Sequence, residues 1–271
     1  MRTWIPTLTL ALLLLPLAGQ APAQETAPPP PAFDHEHSGW SAVLKAHLVG
    51  DDFDYAALKK ERAPLDSYLR ALEAVEPEAF AAWKRDERYA FWINAYNAYT
   101  IRAVVDAYPV KSITDIGSKE ETVWDRRVIP LGRLWKKGKG AKLSLNQIEH
   151  ELLRPEFQDA RVHAAVNCAS EGCPPLMERA FRAATLDEDL DARTRAWLAD
   201  PKRNRFEPGR KRVHLSRIFE WFREDFTRGE QTLGQWLAKY APEAQRAFLE
   251  SGEFEVRYLE YDWALNDAPR R

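Results

Sequence analysis

The sequence predicts an α+β fold, with a helical N-terminal part whose long central helix packs on a small, mainly antiparallel sheet. Three observations predict it. Apolar residues recur at helical spacing through residues 40–108. Strand signals are short and begin only after that stretch. No regular strand–helix alternation runs along the chain, which argues against a βαβ series.

Taken in order, Val43, His47 and Leu48 recur at helical spacing, and so do Leu65, Tyr68, Leu69 and Leu72, ending before Pro77. Residues 86–107 form the strongest helix signal. Phe91, Ala95, Ala98 and Val105 trace one stripe, and Trp92, Tyr96 and Tyr99 its neighbour. A helix apolar on so much of its circumference is central, and Pro109 ends it. Residues 127–131 and 142–145 read as strands joined by a loop. Ser144 and Gln147 fit a capping box that opens a helix to about Leu153. Residues 160–166 (ARVHAAV) read as a buried strand. Thr185 with Glu188, and Thr232 with Gln235, fit two more boxes. Residues 211–215 and 254–261 read as strands, and Ser216 caps a helix carrying Ile218, Trp221, Phe222 and Phe226.

Composition excludes several classes. The chain has 271 residues, of which 30% are charged and 45% hydrophobic. Disordered chains are poorer in hydrophobic residues and carry a larger net charge. Lys and Arg number 39 against 41 Asp and Glu, a net charge of −2. No basic balance points to nucleic acid or an anionic membrane. A mean hydropathy of −0.51 excludes a polytopic membrane protein. Two cysteines cannot build a disulfide-dense mini-fold or an iron–sulfur ferredoxin.

The first 23 residues read as a signal peptide. Arg2 supplies the positive start, residues 8–17 the apolar run, and Ala21-Pro22-Ala23 the small-x-small cleavage pattern, with cleavage expected after Ala23. The run is too short to span a bilayer, which takes about 20 residues. No integral span is expected after cleavage, and the address is periplasmic or secreted, where thiols tend to be oxidised. Residues 24–32 are a Pro-rich linker, and residues 33–271 suit one α+β domain.

Both cysteines lie in residues 163–175, HAAVNCASEGCPP. Three readings compete. In the first, Cys168 is a nucleophile with His163 or His214 as base, because an imidazole takes the thiol proton, and Asn167 donates to an oxyanion. In the second, Cys168 and Cys173 form a local disulfide that pins the turn. In the third, His163, Cys168 and Cys173 bind zinc, although this spacing is not a standard pattern and lacks a fourth ligand. A permanently oxidised Cys168 cannot attack a carbonyl, but an exposed disulfide can exchange with thiols.

Asn94 and Asn97 sit one turn apart inside the most hydrophobic helix, where Asn is a poor former. They are either polar latches to a neighbouring loop or amides lining a polar pocket, together with Trp92. Glu149 either orients a catalytic imidazole or, with His150 and Glu151, belongs to a solvated face. Residues 133–142 (RLWKKGKGAK) are a local positive loop that reads as a solvated tip or as a steering patch for an anion. His35, Glu36 and His37 are the only other metal-like cluster, and no metal site is expected there. There is no phosphate-binding glycine loop, no G-x-S-x-G and no HExxH, and no cofactor is expected.

The segments FWINAYNA (91–98), SLNQIEH (144–150), RVHAAVNC (161–168) and CPP (173–175), in that order and spacing across residues 80–200, resemble the family called domain of unknown function 547. Phe53-Asp54-Tyr55 and the aromatic helix at 218–226 look similar too. Members often read Gly after the cysteine, where this chain has Ala169. The resemblance implies a fold similar to papain-like and transglutaminase-like thiol enzymes, in which a long helix packs against a small antiparallel sheet carrying a His. There the nucleophile heads the central helix, whereas here that helix offers Asn94 and Asn97 and no cysteine.

The expected function is a thiol-dependent hydrolase or acyl-transferase-like activity on an amide or peptide-like small ligand. Cys168 is the nucleophile, His163 the base, Glu149 the orienter and Asn97 a polarising donor. The alternatives are a non-catalytic envelope binding module with a Cys168–Cys173 disulfide, or a thiol–disulfide exchanger.

Overall fold

A computed structural model describes Met1 and residues 32–135 and 140–268 of the chain. The expected signal peptide and almost all of the Pro-rich linker lie outside the described residues, as does part of the positive loop (136–139). The compact unit is Phe33–Arg271.

The N-terminal part is helical: α1 (Ser38–His47), a two-stranded turn of β1 (Leu48–Val49) and β2 (Asp52–Phe53), then α2 (Tyr55–Lys60), α3 (Ala63–Glu73), α4 (Pro77–Ala82) and α5 (Arg85–Ala107). Helix α5 is the expected central helix. Every residue from Tyr89 to Ile101 is buried. Its ends are set locally: the Glu87 carboxylate accepts from the Lys84 backbone N–H at 2.7 Å, and the chain turns away at Pro109.

Downstream come a wide helix, Gln147–Phe157, with π-type turns, then α6 (Leu186–Ala199), β3 (Arg205–Glu207) and β4 (Arg212–Leu215). After them follow α7 (Ile218–Trp221), α8 (Arg223–Phe226), α9 (Leu233–Tyr240), α10 (Arg246–Ser251) and β5 (Glu255–Tyr258). The sheet order is β3-β4-β5, with β3 antiparallel and β5 parallel to β4. The α+β class and the small sheet hold. Helix α5 packs mainly on α2, α3 and the wide helix. The sheet belongs to a second core with Trp197, Phe219, Phe226 and Trp236.

Two of the three capping boxes form. Gln147 N–H donates to Ser144 Oγ at 3.2 Å, while Ser144 N–H donates to Gln147 Oε1. Thr232 and Gln235 do the same ahead of α9. At α6 the box is absent, because the Thr185 hydroxyl goes to Asp189, which also holds Arg179. The wide helix runs past Leu153 to Phe157 with Pro155 inside it, a residue with no N–H to give the preceding turn.

Two strand expectations are corrected. Residues 127–131 and 142–145 meet only at a single bridge, Ile129 with Leu143. The stretch read as a buried strand at 160–166 is a 3-10 helix, Ala160–Ala164, capped by Asp159. The reason lies in its burial. Val162, Ala165 and Val166 enter the first core, while Ala160 and Ala164 enter the second. That spacing of three and four belongs to a helical turn, not to a strand of period two.

Beyond the bonds of its own turn, this segment is held at its end by side chains of α5. Asn97 Nδ2 donates to Ala165 O at 2.9 Å and Asn97 Oδ1 accepts from Asn167 N–H at 2.8 Å. Asn94 makes the same pair with Phe181, donating to its O at 2.7 Å and accepting from its N–H at 3.0 Å. An Asn97→Ala substitution strands two buried backbone groups. It should cost about 2–5 kcal/mol, read by urea denaturation, and an unchanged midpoint would refute the latch.

Candidate functional site

The loop after Ala165 is built by close polar contacts. Asn167 Nδ2 donates to Pro174 O at 2.9 Å, and Asn167 Oδ1 accepts from Ala169 N–H at 2.7 Å. That second bond closes a short side-chain-to-backbone turn. Ala169 has a φ of 61° and is fully buried, so the left-handed conformation favoured by glycine is held here by an alanine. Gly172 is required for another reason. A Cβ there would come within 2.9 Å of the Tyr261 ring and 3.0 Å of Asp262 O.

Cys168 and Cys173 are joined in a disulfide, with their Cα atoms 6.4 Å apart. The Cys168 N–H points at Cys173 Sγ, 3.0 Å away. The Tyr261 hydroxyl stands 3.2 Å from Cys168 Sγ and 3.1 Å from Cys173 Sγ, with Ser170 Oγ 3.1 Å from Cys168 Sγ. Bridged sulfurs carry no proton, so these hydroxyls are the donors. Burial pushes the Tyr261 phenol up, against the lowering effect of Ser170, so Tyr261 keeps its proton. Tyr261 arrives on a C-terminal strap, where Glu171 N–H donates to Ala264 O and Gly172 N–H to Asp262 O, both at 2.9 Å.

His163 lies on the 3-10 turn, 2% exposed. Its Nε2 is 2.8 Å from Asp225 Oδ2 on α8, and its ring stacks on Phe222 with centroids 4.4 Å apart. Asp225 also accepts from Arg154 Nε at 2.6 Å and from an Arg228 guanidinium nitrogen at 2.9 Å. Burial raises its pKa, but the bonds from His163 and Arg154 outweigh burial and bring it down to about 2. An ionised Asp225 accepts only, so Nε2 donates to it and Nδ1 is the ring nitrogen that Asp225 leaves unengaged.

These pieces meet at one cavity of about 200 Å³. Cys168, Cys173, His163 and Glu149 line it, together with aromatic rings that include Trp124, Tyr261 and Trp263. Glu149 is on the wide helix and 8% exposed. It faces Tyr96, whose hydroxyl burial pushes well up, with the Glu149 charge adding to it. Wide helical turns occur often at functional positions.

Of the expected residues, Cys168, His163 and Glu149 converge. The orienter of His163 is Asp225, whereas Glu149 faces Tyr96. Asn97, Asn94 and Asn167 spend their amides on backbone groups and do not line the cavity. Trp92 packs against Phe80 and Phe91. His214 is on β4 with Nε2 3.6 Å from Glu207. His37 is committed to the Tyr68 hydroxyl at 2.8 Å, and among the described residues no group of three or more His, Cys, Asp or Glu is gathered as a metal would need.

Asp225 and Tyr261 escaped sequence reasoning. The available signal was Arg223-Glu224-Asp225-Phe226, an acidic residue inside an aromatic helix followed by Arg228.

The model of the family described as "Protein of unknown function, DUF547" matches residues 80–198. The DUF547 segment contains α5, the wide helix, His163 and both cysteines, whereas Asp225, Trp221, Tyr261 and Trp263 lie beyond it. No curated protein and no solved structure matches the chain.

Two measurements check the site. The folded-state pKa of Asp225 is depressed, so its contribution is complete above the ordinary carboxylate value and is lost as pH falls towards 2. That contribution is roughly 2 kcal/mol. In Asp225→Asn, the drop in stability between about pH 5 and 2 should become shallower, as read by chemical denaturation at each pH. At Ala169, a left-handed alanine costs about 1–2 kcal/mol. Glycine would relieve that but add roughly 0.4–1 kcal/mol of chain entropy and forfeit about 0.8 kcal/mol of methyl burial. Ala169→Gly should therefore fall within about 1 kcal/mol of the parent, while Ala169→Val should lose roughly 2 kcal/mol or more.

Proposed function

We propose that the cavity is the active site of a thiol-dependent hydrolase or acyl transferase acting on an amide or peptide-like ligand. The observation that carries this reading is that His163, fixed by ionised Asp225, and the sulfur of Cys168 line the same cavity.

In the bridged form Cys168 is not a nucleophile. An external dithiol reduces the bridge, becoming a disulfide while Cys168 and Cys173 become thiols. The Cys168 thiol then gives its proton to His163 Nδ1, and its sulfur attacks the ligand carbonyl. Collapse of the tetrahedral adduct breaks the C–N bond. The proton on His163 passes to the leaving amine, and a thioester remains on Cys168. Water, deprotonated by His163, cleaves the thioester in hydrolysis, or a second amine takes the acyl group in transfer. Ionised Asp225 holds the ring and stabilises its charged form.

The reading includes export to a periplasm or beyond, supported by Arg2, the apolar run and Ala21-Pro22-Ala23. One observation favours a second reading. The bridge itself, with hydroxyls donating to its sulfurs, suits a non-catalytic binding module in which it shapes the wall.

Counting thiols separates the two. Under the first reading, a mild dithiol frees two thiols, and iodoacetamide near neutral pH then labels Cys168 before Cys173. Cys168→Ser and His163→Ala each lower peptide-amide turnover by about a hundredfold or more with the fold intact by circular dichroism. A bridge that opens only after denaturation, with no turnover by the reduced protein, would establish the binding module instead.

A further inference from the structure

The mouth of this cavity carries a charge that the thiol chemistry does not use. Glu149 is a carboxylate 8% exposed; the Tyr96 hydroxyl hydrogen-bonds it, but among the described residues no Lys or Arg pairs with it. Its one ion-pair neighbour is the His150 ring, with Nδ1 4.0 Å away. A carboxylate taken this far from water is costly unless something positive compensates it.

The same cavity is lined by aromatic rings. Trp263 meets Trp124 at 5.8 Å and Tyr261 at 4.6 Å between centroids, and both partners line the same cavity. Ring faces carry negative electrostatic potential and attract cations. A carboxylate and several ring faces around a space of about 200 Å³ have one chemistry in common.

We propose that this cavity binds a primary alkylammonium group, as on a lysine-like side chain, between the Glu149 carboxylate and the faces of Trp124, Tyr261 and Trp263. The inference deepens the reading above and rests on it only for calling the bound molecule a substrate, since binding needs no thiol. A primary ammonium fits better than a quaternary one because its N–H groups donate to the carboxylate. It fits better than a sugar because a neutral ring leaves Glu149 uncompensated. A bare metal ion would need more oxygen ligands than one carboxylate supplies.

The test is a tryptophan-fluorescence titration of the full chain at fixed ionic strength with n-pentylammonium chloride, tetramethylammonium chloride and 1-pentanol. Pentylammonium should saturate at a concentration about tenfold or more below that of pentanol, with tetramethylammonium weaker than pentylammonium. Glu149→Gln should erase the preference for the amine and leave the pentanol curve in place. Trp263, 37% exposed, tolerates replacement, and Trp263→Ala should weaken pentylammonium more than pentanol. If Glu149→Gln fails to fold, the parent's preference and its reduction in Trp263→Ala carry the test.

Equal saturation by amine and alcohol, no saturable binding of either, or a preference that survives Glu149→Gln would overturn the proposal. So would tighter binding of cellobiose than of pentylammonium. The bridged parent, which carries no free thiol, should bind pentylammonium whether or not a mild dithiol gives it turnover. Absence of turnover with amine binding present therefore tests the thiol reading alone, and absence of an amine preference in a parent that turns over removes only this inference.

Discussion

The site depends on a carboxamide acting as a strand. Asn97 presents an acceptor and a donor to Asn167 N–H and Ala165 O, the pair of bonds a neighbouring strand would offer. Because Asn97 sits on a helix buried from Tyr89 to Ile101, it cannot shift without disturbing the first core. The loop carrying both sulfurs is thereby registered against the buried central helix. Asn94 does the same for Phe181, so the chain is pinned on both sides of the cysteine loop. A buried amide of this kind is costly only when unsatisfied, and here each makes one bond through its nitrogen and one through its oxygen.

From that anchor the remaining contacts follow. The 3-10 turn at Ala160–Ala164 sends residues into both cores, which leaves His163 directed at the boundary between them. There Phe222 and Asp225 reach it from the second core, and Arg154 reaches Asp225 from the wide helix. The C-terminal strap closes the other side, pairing Ser170 with Leu265 and also reaching Phe53 through Asp267. Segments far apart in sequence thus meet at one wall. The part of that wall outside residues 80–198 supplies the His163 partner and the Tyr261 hydroxyl that reaches both sulfurs.

This division explains what could be read from the sequence. Helix α5 was legible because its stripe is long and its neighbours are unambiguous in period. The boxes at Ser144 and Thr232 were legible because a cap is a contact within four residues. Residues 160–166 were not, because a short, mostly apolar stretch fits a strand and a buried helical turn equally. What decides between them is Asn97, some seventy positions away. The structural role of Asn97 and the partnership of His163 with Asp225 are both long-range facts, and the aromatic and arginine neighbours of Asp225 mark the acid without naming its partner. Thr185 shows the opposite case. A local signal was present, but the hydroxyl was taken by Asp189, which Arg179 also holds.

The two carboxylates of the site also differ in kind, and the difference assigns their work. Asp225 is surrounded by two guanidinium groups and an imidazole, so its charge is fully compensated inside the fold and its task is to hold a ring. Glu149 has the Tyr96 hydroxyl and aromatic faces for company, and among the described residues no Lys or Arg pairs with it. A fold that paired both would have an inert pocket. A fold that paired neither would lose stability twice over, since each unpaired buried charge is penalised separately. Neutralising one internally and leaving the other without a cationic partner is the asymmetry on which the proposed ammonium site rests. A cation bound there would share the cavity with the sulfur that the Asn97 latch has already fixed.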